Sequence, residues 1–292
     1  LHFLSGLLIY LTTLFTSWNG YQHTYLKTST GEEIHQVLSD NPHAQSNSSL
    51  VLFHGLGSQA ADLFVVMQPL RNHFKRLSAI DLPGHGLNHM RVADQSIRDI
   101  QDHFFEALHR EISKHQTPVI LWGNSLGGWQ AIHYALRYPE DVKALILISP
   151  AGALETPEQS QHLSTIFLDY SQNAPQKMLP LLFNQLPPGA DLFAASLKSR
   201  FASPQLQALM PKLTPQSMTF STAQLNSLKV PTLLIWGKAD RIFPKEAAYF
   251  KAHLPADKTA VFEPEHFTHS PYLEAPMGEQ LSQITLHWLN TL

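Results

Sequence analysis

A serine inside a glycine-rich segment is the strongest sign of chemistry in this sequence. Residues 123–128 read Gly-Asn-Ser-Leu-Gly-Gly and directly follow the apolar run Val119–Trp122. A helical pattern begins at Leu126, so the segment predicts a strand, a tight turn that holds Ser125, and a helix. Such a turn lifts the hydroxyl above a sheet, and the glycines leave room for nearby backbone. The alternative is a purely structural turn in which Ser125 caps the helix.

A nucleophilic serine needs a general base, and two histidines near the end of the chain are candidates. His266 and His269 follow the predicted strand Ala260–Phe262. Position alone leaves the two nearly equal, and their spacing would also suit a pair of metal ligands. The sequence has no HExxH motif and no further ligand cluster, so we predict neither a metal nor a cofactor.

The base in turn needs an acid, and Asp240 lies on the loop after the predicted strand Thr232–Trp236. A carboxylate there can bind the far ring nitrogen of the base, fix its tautomer and stabilise the imidazolium. The alternative is an aspartate that only forms the turn. Two other motifs, His54–Ser58 and Asp81–Gly86, also follow predicted strands. For His54, Asp81 and His85 we favour structural roles over catalytic ones.

The elements that would position these residues alternate between strands and helices. Short apolar runs such as Leu50–Phe53 and Ala144–Ile148 are typical of central parallel strands. Helical patterns between them, including one at Ala61–Phe74, predict an α/β fold with a mostly parallel, doubly wound sheet. The proline-rich segment 152–228 interrupts this rhythm and predicts a helical cap. We therefore divide the chain into an N-terminal segment (1–20), a core (21–151 and 229–292) and the cap.

Composition narrows the classes of function. The net charge is −3, so no basic surface is available for nucleic acid. The absence of cysteine excludes a thiol nucleophile and a disulfide scaffold. Neither a phosphate-binding loop of the GxxxxGK[ST] type nor a GxGxxG motif occurs, so nucleotide binding has no support.

The first 18 residues, LHFLSGLLIYLTTLFTSW, are uncharged and mostly apolar. Their length is at the lower limit for a membrane span, and apolar residues also recur at helical spacing. A membrane anchor, an interfacial amphipathic helix, and a signal remnant or docked helix are the three interpretations. We expect contact with a membrane surface through residues 1–18 and a membrane-associated location, with cytoplasmic or periplasmic locations as alternatives.

Taken together, the motifs HGLGS, DLPGHG, GNSLGGWQA, ISPAG and WGKADRIF resemble, in that order, the α/β-hydrolase superfamily over about residues 25–292. The segment from His269 to Pro276 is similar to the superfamily's histidine segment, usually GHxxxxExP, with Thr268 in place of glycine. The resemblance implies a catalytic triad of Ser125, Asp240 and His269, rather than His266. It also implies an oxyanion hole formed by the backbone amides of Leu56 and Leu126.

Within the superfamily, two branches look similar. Membrane-bound monoacylglycerol lipases and related bacterial lipases share the apolar N-terminus and the Ser149–Gly152 motif. The hydrolases that cleave C–C bonds in ring-cleavage products share the GNS-x-GG motif and a proline-rich cap. The first branch implies an esterase or lipase acting on a small-molecule substrate, a lipid-like acyl ester. The acyl chain would then lie on an apolar face of the cap, formed by residues such as Ile166, Phe167, Leu181, Leu182 and Phe183. The alternative for these five residues is plain packing within the cap. C–C hydrolase and thioesterase chemistry are the alternatives, and a non-enzymatic binding protein on the same scaffold is a third.

Overall fold

One sheet of eight strands organises the protein, whose computed structural model describes residues 12–114, 117–153, 155–167 and 174–292. The strands pair in the order β1-β2-β4-β3-β5-β6-β7-β8. β1–β2 and β2–β4 are antiparallel, and all other pairs are parallel. The bounds are β1 Gln22–Lys27, β2 Glu33–Asp40, β3 Ser46–Phe53, β4 Phe74–Ile80, β5 Val119–Asn124, β6 Val142–Ile148, β7 Thr232–Ile235 and β8 Thr259–Phe262.

Helices cover both faces of this sheet, because the side chains of each central strand alternate between two apolar clusters. In β5, Leu121 joins the cluster under the helices Ile97–Ser113 and Leu126–Arg137 on one face. Trp122 joins the cluster under the helices Phe64–Leu70 and Ala275–Leu289 on the other face. The core helices are α2 Phe64–Leu70, α3 Ile97–Ser113, α4 Leu126–Arg137, α11 Ala247–His253 and α12 Ala275–Leu289, with 3₁₀ turns at Ala60–Leu63, Pro139–Asp141 and Pro271–Leu273. This arrangement confirms the predicted fold class.

The predicted helix at Ala61–Phe74 is wrong at its C-terminal end. The chain forms a 3₁₀ turn and then α2, which ends at Leu70. His73 donates to the Leu70 carbonyl in a closing turn, and Phe74 already pairs with Ser46 in the sheet. The buried Phe74 side chain belongs to the sheet's own apolar cluster, so tertiary packing ends the helical pattern early.

Within the described residues, six further helices lie between β6 and β7, and we propose that residues 152–228 form the cap and the remainder from 21 onward the core. Proline begins α5, α8 and α9, where its missing N–H costs no intrahelical hydrogen bond. This explains how a proline-rich segment is helical. The bounds are α5 Pro157–Phe167, α6 Ala174–Leu182, α7 Ala190–Phe201, α8 Pro204–Leu209, α9 Pro215–Met218 and α10 Thr222–Asn226, with a 3₁₀ turn at Met210–Lys212.

The predicted membrane segment falls largely on residues 1–11, which lie outside the described residues. Residues 12–18 are helical and are called α1. Thr16 is buried against the core, and the Phe15 ring contacts the Phe64 ring edge to face. Trp18 by contrast is 92% exposed. None of the helices within the described ranges has both the length and the apolar character needed to span a bilayer.

Candidate active site

Ser125 occupies the tight turn between β5 and α4 that the sequence predicts. Its backbone has φ 54° and ψ −117°, a conformation that is uncommon for any residue except glycine. Its amide donates to the Ile148 carbonyl over 3.0 Å. A Cβ at Gly123 would lie 2.3 Å from the Gly127 carbonyl oxygen, and one at Gly127 would lie 2.2 Å from that of Phe53. Glycine is therefore required at both positions for this turn to form.

The loop after β7 and the loop after β8 meet beside this turn. Ala239 donates its amide to the Phe267 carbonyl at 3.1 Å. A Cβ at Gly237 would lie 2.0 Å from the same oxygen, so only glycine permits this approach. The contact brings Asp240 to His269, and His269 Nδ1 donates to Asp240 Oδ2 over 2.9 Å. Both side chains are buried.

Asp240 is held as a carboxylate by its surroundings. Its Oδ1 accepts hydrogen bonds from the amides of Ile242 and Phe243, each at 2.9 Å. Burial raises the pKa of Asp240, but the His269 imidazole and the hydrogen bonds to the carboxylate outweigh burial and hold the pKa below its usual value. The pair therefore fixes His269 with its proton on Nδ1, which leaves Nε2 of the neutral ring as an acceptor.

His269 Nε2 is buried and has no hydrogen-bond partner among the described residues. His269 and Ser125 line the same cavity, which lies between the core and the cap. The arrangement therefore places an oriented imidazole and a serine hydroxyl at the wall of one cavity. These are the chemical groups required for proton transfer from a serine to a general base.

Apolar side chains form most of the cavity wall. Phe167 and Leu182 are two of five cap residues that the sequence suggests for an acyl-binding face, and both line the cavity. The other three, Ile166, Leu181 and Phe183, are absent from the lining and pack in the apolar core. The full apolar lining is Leu56, Phe167, Met178, Leu182, Phe193, Leu197, Ile242 and Leu273.

A polar group of side chains lines another part of the same cavity. Arg200 of α7 and Asp62 form a two-point ion pair, with N–O distances of 2.5 and 3.1 Å. Ser58 donates to Asp62 at 2.8 Å, and Tyr272 lies 3.4 Å from the Ser58 hydroxyl. Sequence reasoning missed Arg200 and Asp62, because they are separated by 138 residues and no local motif links them.

Leu56 and Leu126, the predicted oxyanion donors, lie shortly after β3 and β5, respectively. Leu126 is the first residue of α4, where an amide has no partner within the helix. Its side chain packs in the apolar core and is absent from the cavity lining. Leu56 lines the cavity in the turn after β3. A role for the two amides in binding an oxyanion remains a prediction.

Asn124 is a further residue of the site that sequence reasoning missed. Its side-chain amide donates to the His269 carbonyl at 2.8 Å and to the Ile148 carbonyl at 3.1 Å. Its oxygen accepts from the Ser270 hydroxyl at 2.9 Å. Asn124 therefore ties the serine turn to the histidine loop. The sequence offers little signal for this role, since Asn124 stands at a variable position of the G-x-S-x-G pattern.

The other candidate residues lie in structural settings. His54 Nε2 accepts from the Leu82 amide and its Nδ1 donates to the Gly55 carbonyl, so both ring nitrogens are used within the fold. Burial holds the pKa of His54 below its usual value, because the opposing effect of the nearby Asp81 is smaller. His266 pairs with Gln280 at the surface. Thr268 has no positive φ, so its backbone does not require the glycine that is usual there.

Comparison with known proteins identifies the family. The profile of the Hydrolase_4 family, described as serine aminopeptidase, S33, matches residues 44–276. A serine hydrolase from Cycloclasticus zankles superposes with a TM-score of 0.78 at 18% identity, covering 93% of this chain and 98% of that one. This structural likeness supports the fold.

Three relatives differ in the reactions for which they are named. The pimeloyl-[acyl-carrier protein] methyl ester esterase of Nitrosomonas europaea is 30% identical over 241 residues, which cover 78% of this chain and 90% of the relative. The monoacylglycerol lipase ABHD6 of Bos taurus is 26% identical, covering 78% and 72%. A 2-hydroxy-6-oxononadienedioate/2-hydroxy-6-oxononatrienedioate hydrolase of Paraburkholderia phymatum is 26% identical, covering 70% and 75%.

Proposed function

This chain belongs to the Hydrolase_4 family of α/β-hydrolases, and on that premise we propose that it hydrolyses carboxylic esters of lipid-like acyl chains, of the monoacylglycerol type. Ser125 is the nucleophile, His269 the base and Asp240 the acid that orients it. One observation carries the proposal. The unpartnered nitrogen of a histidine fixed by a buried aspartate lines the same largely apolar cavity as Ser125.

The reaction proceeds in two acyl-transfer steps. His269 Nε2 removes the proton of Ser125 as Oγ attacks the ester carbonyl, and Asp240 stabilises the imidazolium. The amides of Leu56 and Leu126 bind the oxyanion, and the N-terminal dipole of α4 adds to this stabilisation. The imidazolium returns its proton to the departing alcohol. Water, activated by His269, then attacks the acyl-enzyme and releases the acid.

The cavity wall has an apolar part and a polar part, which suit an ester with an apolar acyl chain and a polar alcohol. Phe167, Met178, Leu182, Phe193 and Leu197 of the cap offer an apolar surface to an acyl chain. Ser58 and Tyr272 offer hydroxyl groups to a polar alcohol. An ester of a fatty acid with a small polyol matches both parts of this wall.

A single observation favours the alternative of C–C hydrolysis, because the Arg200 cation lines the cavity and would suit a carboxylated ring-cleavage product. However, Asp62 binds both terminal nitrogens of Arg200 and neutralises its charge. A second carboxylate would have to compete with Asp62 for these donors. The ion pair therefore favours a neutral ester over a dicarboxylate substrate.

The test is a substrate panel on the wild type and Ser125→Ala. The panel contains p-nitrophenyl esters of rising chain length, a monoacylglycerol, an acyl thioester and a ring-cleavage dienoate. We expect the highest kcat/KM on an acyl ester with a chain longer than acetyl, and loss of this activity in Ser125→Ala. A higher kcat/KM on the dienoate or the thioester would overturn the assignment of substrate class.

We also propose that the protein contacts a membrane surface through its N-terminal segment, which would give it a membrane-associated location. Leu14, Phe15 and Trp18 of α1 are 48%, 53% and 92% exposed, and tryptophan prefers the interface between water and lipid. In vesicle co-sedimentation, we expect the change of Leu14 and Trp18 to serine to reduce the bound fraction. Leu192→Ser, which removes an exposed leucine from α7, is the control. Equal binding by all three proteins would contradict this proposal.

A further inference from the structure

A tight turn at residues 55–58 carries the Leu56 amide that we assign to the oxyanion. The Ser58 amide donates to the Gly55 carbonyl at 3.2 Å, and Gly57 has φ +74°. The His54 ring donates to the same Gly55 carbonyl at 2.8 Å. The direction of the Leu56 N–H therefore depends on how this turn is held.

The cap contacts this turn directly through the end of α7. Arg200 donates from Nη1 to the Gly57 carbonyl at 3.3 Å. A Cβ at Gly57 would lie 2.4 Å from Cε2 of Phe201, so the Phe201 ring already packs against the turn. Two successive cap residues thus contact Gly57, the residue that follows Leu56 in the turn.

Asp62 connects the same arginine to the other end of the turn. Its Oδ2 accepts from Arg200 Nη1 at 2.5 Å, from the Ser58 hydroxyl at 2.8 Å and from the Gln59 amide at 3.2 Å. Its Oδ1 accepts from Arg200 Nη2 at 3.1 Å. The side chains of this pair are only 18% and 12% exposed, so solvent screens the interaction weakly.

We propose that Arg200 is a positioning residue. Together with Asp62, it lets the cap fix the turn at residues 55–58, which carries the Leu56 amide. This inference rests on the proposed function, because it assumes that the Leu56 amide binds the oxyanion. An oxyanion donor acts only when it is fixed at the place where the negative charge develops. The hydrolase core is therefore fully competent only when α7 of the cap is docked on residues 55–58.

The geometry separates this role from direct recognition of a substrate anion. The two terminal nitrogens of Arg200 already donate to Asp62 and to Gly57. A substrate-binding arginine would keep a donor edge and an unbalanced charge for its ligand. A positioning role thus predicts weaker stabilisation of the transition state with little change in ground-state binding.

The experiment compares Arg200→Gln and Arg200→Lys with a matched control, Lys212→Gln. Lys212 also belongs to the cap and donates to a core carbonyl, that of Ala93, but it is absent from the cavity lining. Three quantities are measured for each folded variant. They are kcat/KM on a neutral acyl ester, Ki for an acyl trifluoromethyl ketone that forms an oxyanion on Ser125, and Kd for an unreactive ether analogue of the substrate.

We expect Arg200→Gln to lower kcat/KM about 10- to 100-fold and to raise the trifluoromethyl ketone Ki by a similar factor. Its Kd for the ether should change less than about threefold, because the analogue carries no developing charge. Arg200→Lys, which keeps the charge but not the planar fork, should lie between Arg200→Gln and the wild type. Lys212→Gln should match the wild type in all three quantities.

Two results would overturn the inference and leave the proposed function intact. One is an equal loss of ketone and ether binding in Arg200→Gln, which would make Arg200 a substrate-binding residue. The other is wild-type kcat/KM and Ki in a folded Arg200→Gln. If the wild type neither hydrolyses the ester nor binds the ketone, the proposed function itself fails, and this inference fails with it.

Discussion

Among the described residues, two buried histidine–aspartate pairs are joined by a hydrogen bond, and they differ in the second nitrogen of the histidine. His269 binds Asp240 at 2.9 Å, and His35 binds Asp81 at 2.7 Å, in both cases through Nδ1. His35 Nε2 lies 2.9 Å from His23 Nδ1, whose other nitrogen lies 2.7 Å from the Thr16 hydroxyl. His269 Nε2 has no partner among the described residues and lines the cavity with Ser125.

The two carboxylates also accept hydrogen bonds from different parts of the chain. Asp240 accepts two amides of its own loop, those of Ile242 and Phe243. Asp81 accepts the amides of Ala60 and Leu87, which lie on separate segments of the chain. A Cβ at Gly86 would lie 2.1 Å from Asp81 Oδ2, so the turn closes tightly around this carboxylate. The comparison teaches that a buried His–Asp pair is not by itself evidence for catalysis. The distinguishing feature is an unpartnered histidine nitrogen that lines the same cavity as a serine hydroxyl.

The largest expected difference comes from replacing each histidine by glutamine. His269→Gln removes the proposed base, and we expect kcat/KM to fall by a factor on the order of 10⁴ to 10⁶ with little change in stability. His35→Gln removes a structural pair, so kcat/KM per folded molecule should stay within about threefold of the wild type. Ester hydrolysis and urea unfolding measured on both variants check the two halves of this prediction. A loss of activity beyond about 100-fold in folded His35→Gln would erase the distinction.

The aspartates should show the same contrast with a smaller effect on catalysis. In Asp240→Asn the amide favours the wrong tautomer of His269, and we expect a loss of about 10⁴-fold in kcat. Asp81→Asn leaves the amides of Ala60 and Leu87 with a weaker acceptor, and we expect a loss of roughly 1–3 kcal/mol in unfolding free energy. Asp240→Asn with unchanged kcat would show that another group orients His269.

The sequence predicts His269 rather than His266 as the base only through its resemblance to the α/β-hydrolase superfamily. The pattern around Ser125 predicts its turn, because the required glycines are local and the strand before it is wholly apolar. The residues alone do not choose between His266 and His269, since both follow the same strand. The Arg200–Asp62 pair joins segments that lie 138 residues apart, so it leaves no periodic or local signal. The helix predicted at Ala61–Phe74 failed because burial of Phe74 in the sheet decided where it ended.

Asn124 sharpens the comparison, because its side chain holds the loop that carries His269. Asn124→Ala removes the donor to the His269 carbonyl and the acceptor for Ser270. We expect kcat to fall roughly tenfold or more through misplacement of His269, with KM changing less. Steady-state kinetics give this split, and Asn124→Gln, which retains the amide, serves as the comparison variant. A fall in stability with unchanged kcat would limit Asn124 to a structural role.

The smallest expected effect is a pH dependence of stability that belongs to the His23–His35–Asp81 chain. Burial and the neighbouring His35 lower the pKa of His23, against the opposing effect of Asp81. The His23 pKa is therefore lower in the folded state than the ordinary value of 6.5 that it has in the unfolded state. As the pH falls below 6.5, the unfolded state binds a proton more readily than the folded state does, so the free energy of unfolding falls. His23→Gln should lose less unfolding free energy than the wild type between pH 7 and pH 5, as urea titrations would measure. A larger loss of unfolding free energy in His23→Gln than in the wild type over this pH range would contradict the prediction.

The most direct test of the central claim is the site of covalent labelling by a fluorophosphonate. Peptide mapping by mass spectrometry should place a single phosphonyl adduct on Ser125 in the wild type and in His35→Gln. Labelling should be abolished in Ser125→Ala and slowed by orders of magnitude in His269→Gln. An adduct on another residue, or equal labelling rates in His269→Gln and the wild type, would contradict the account.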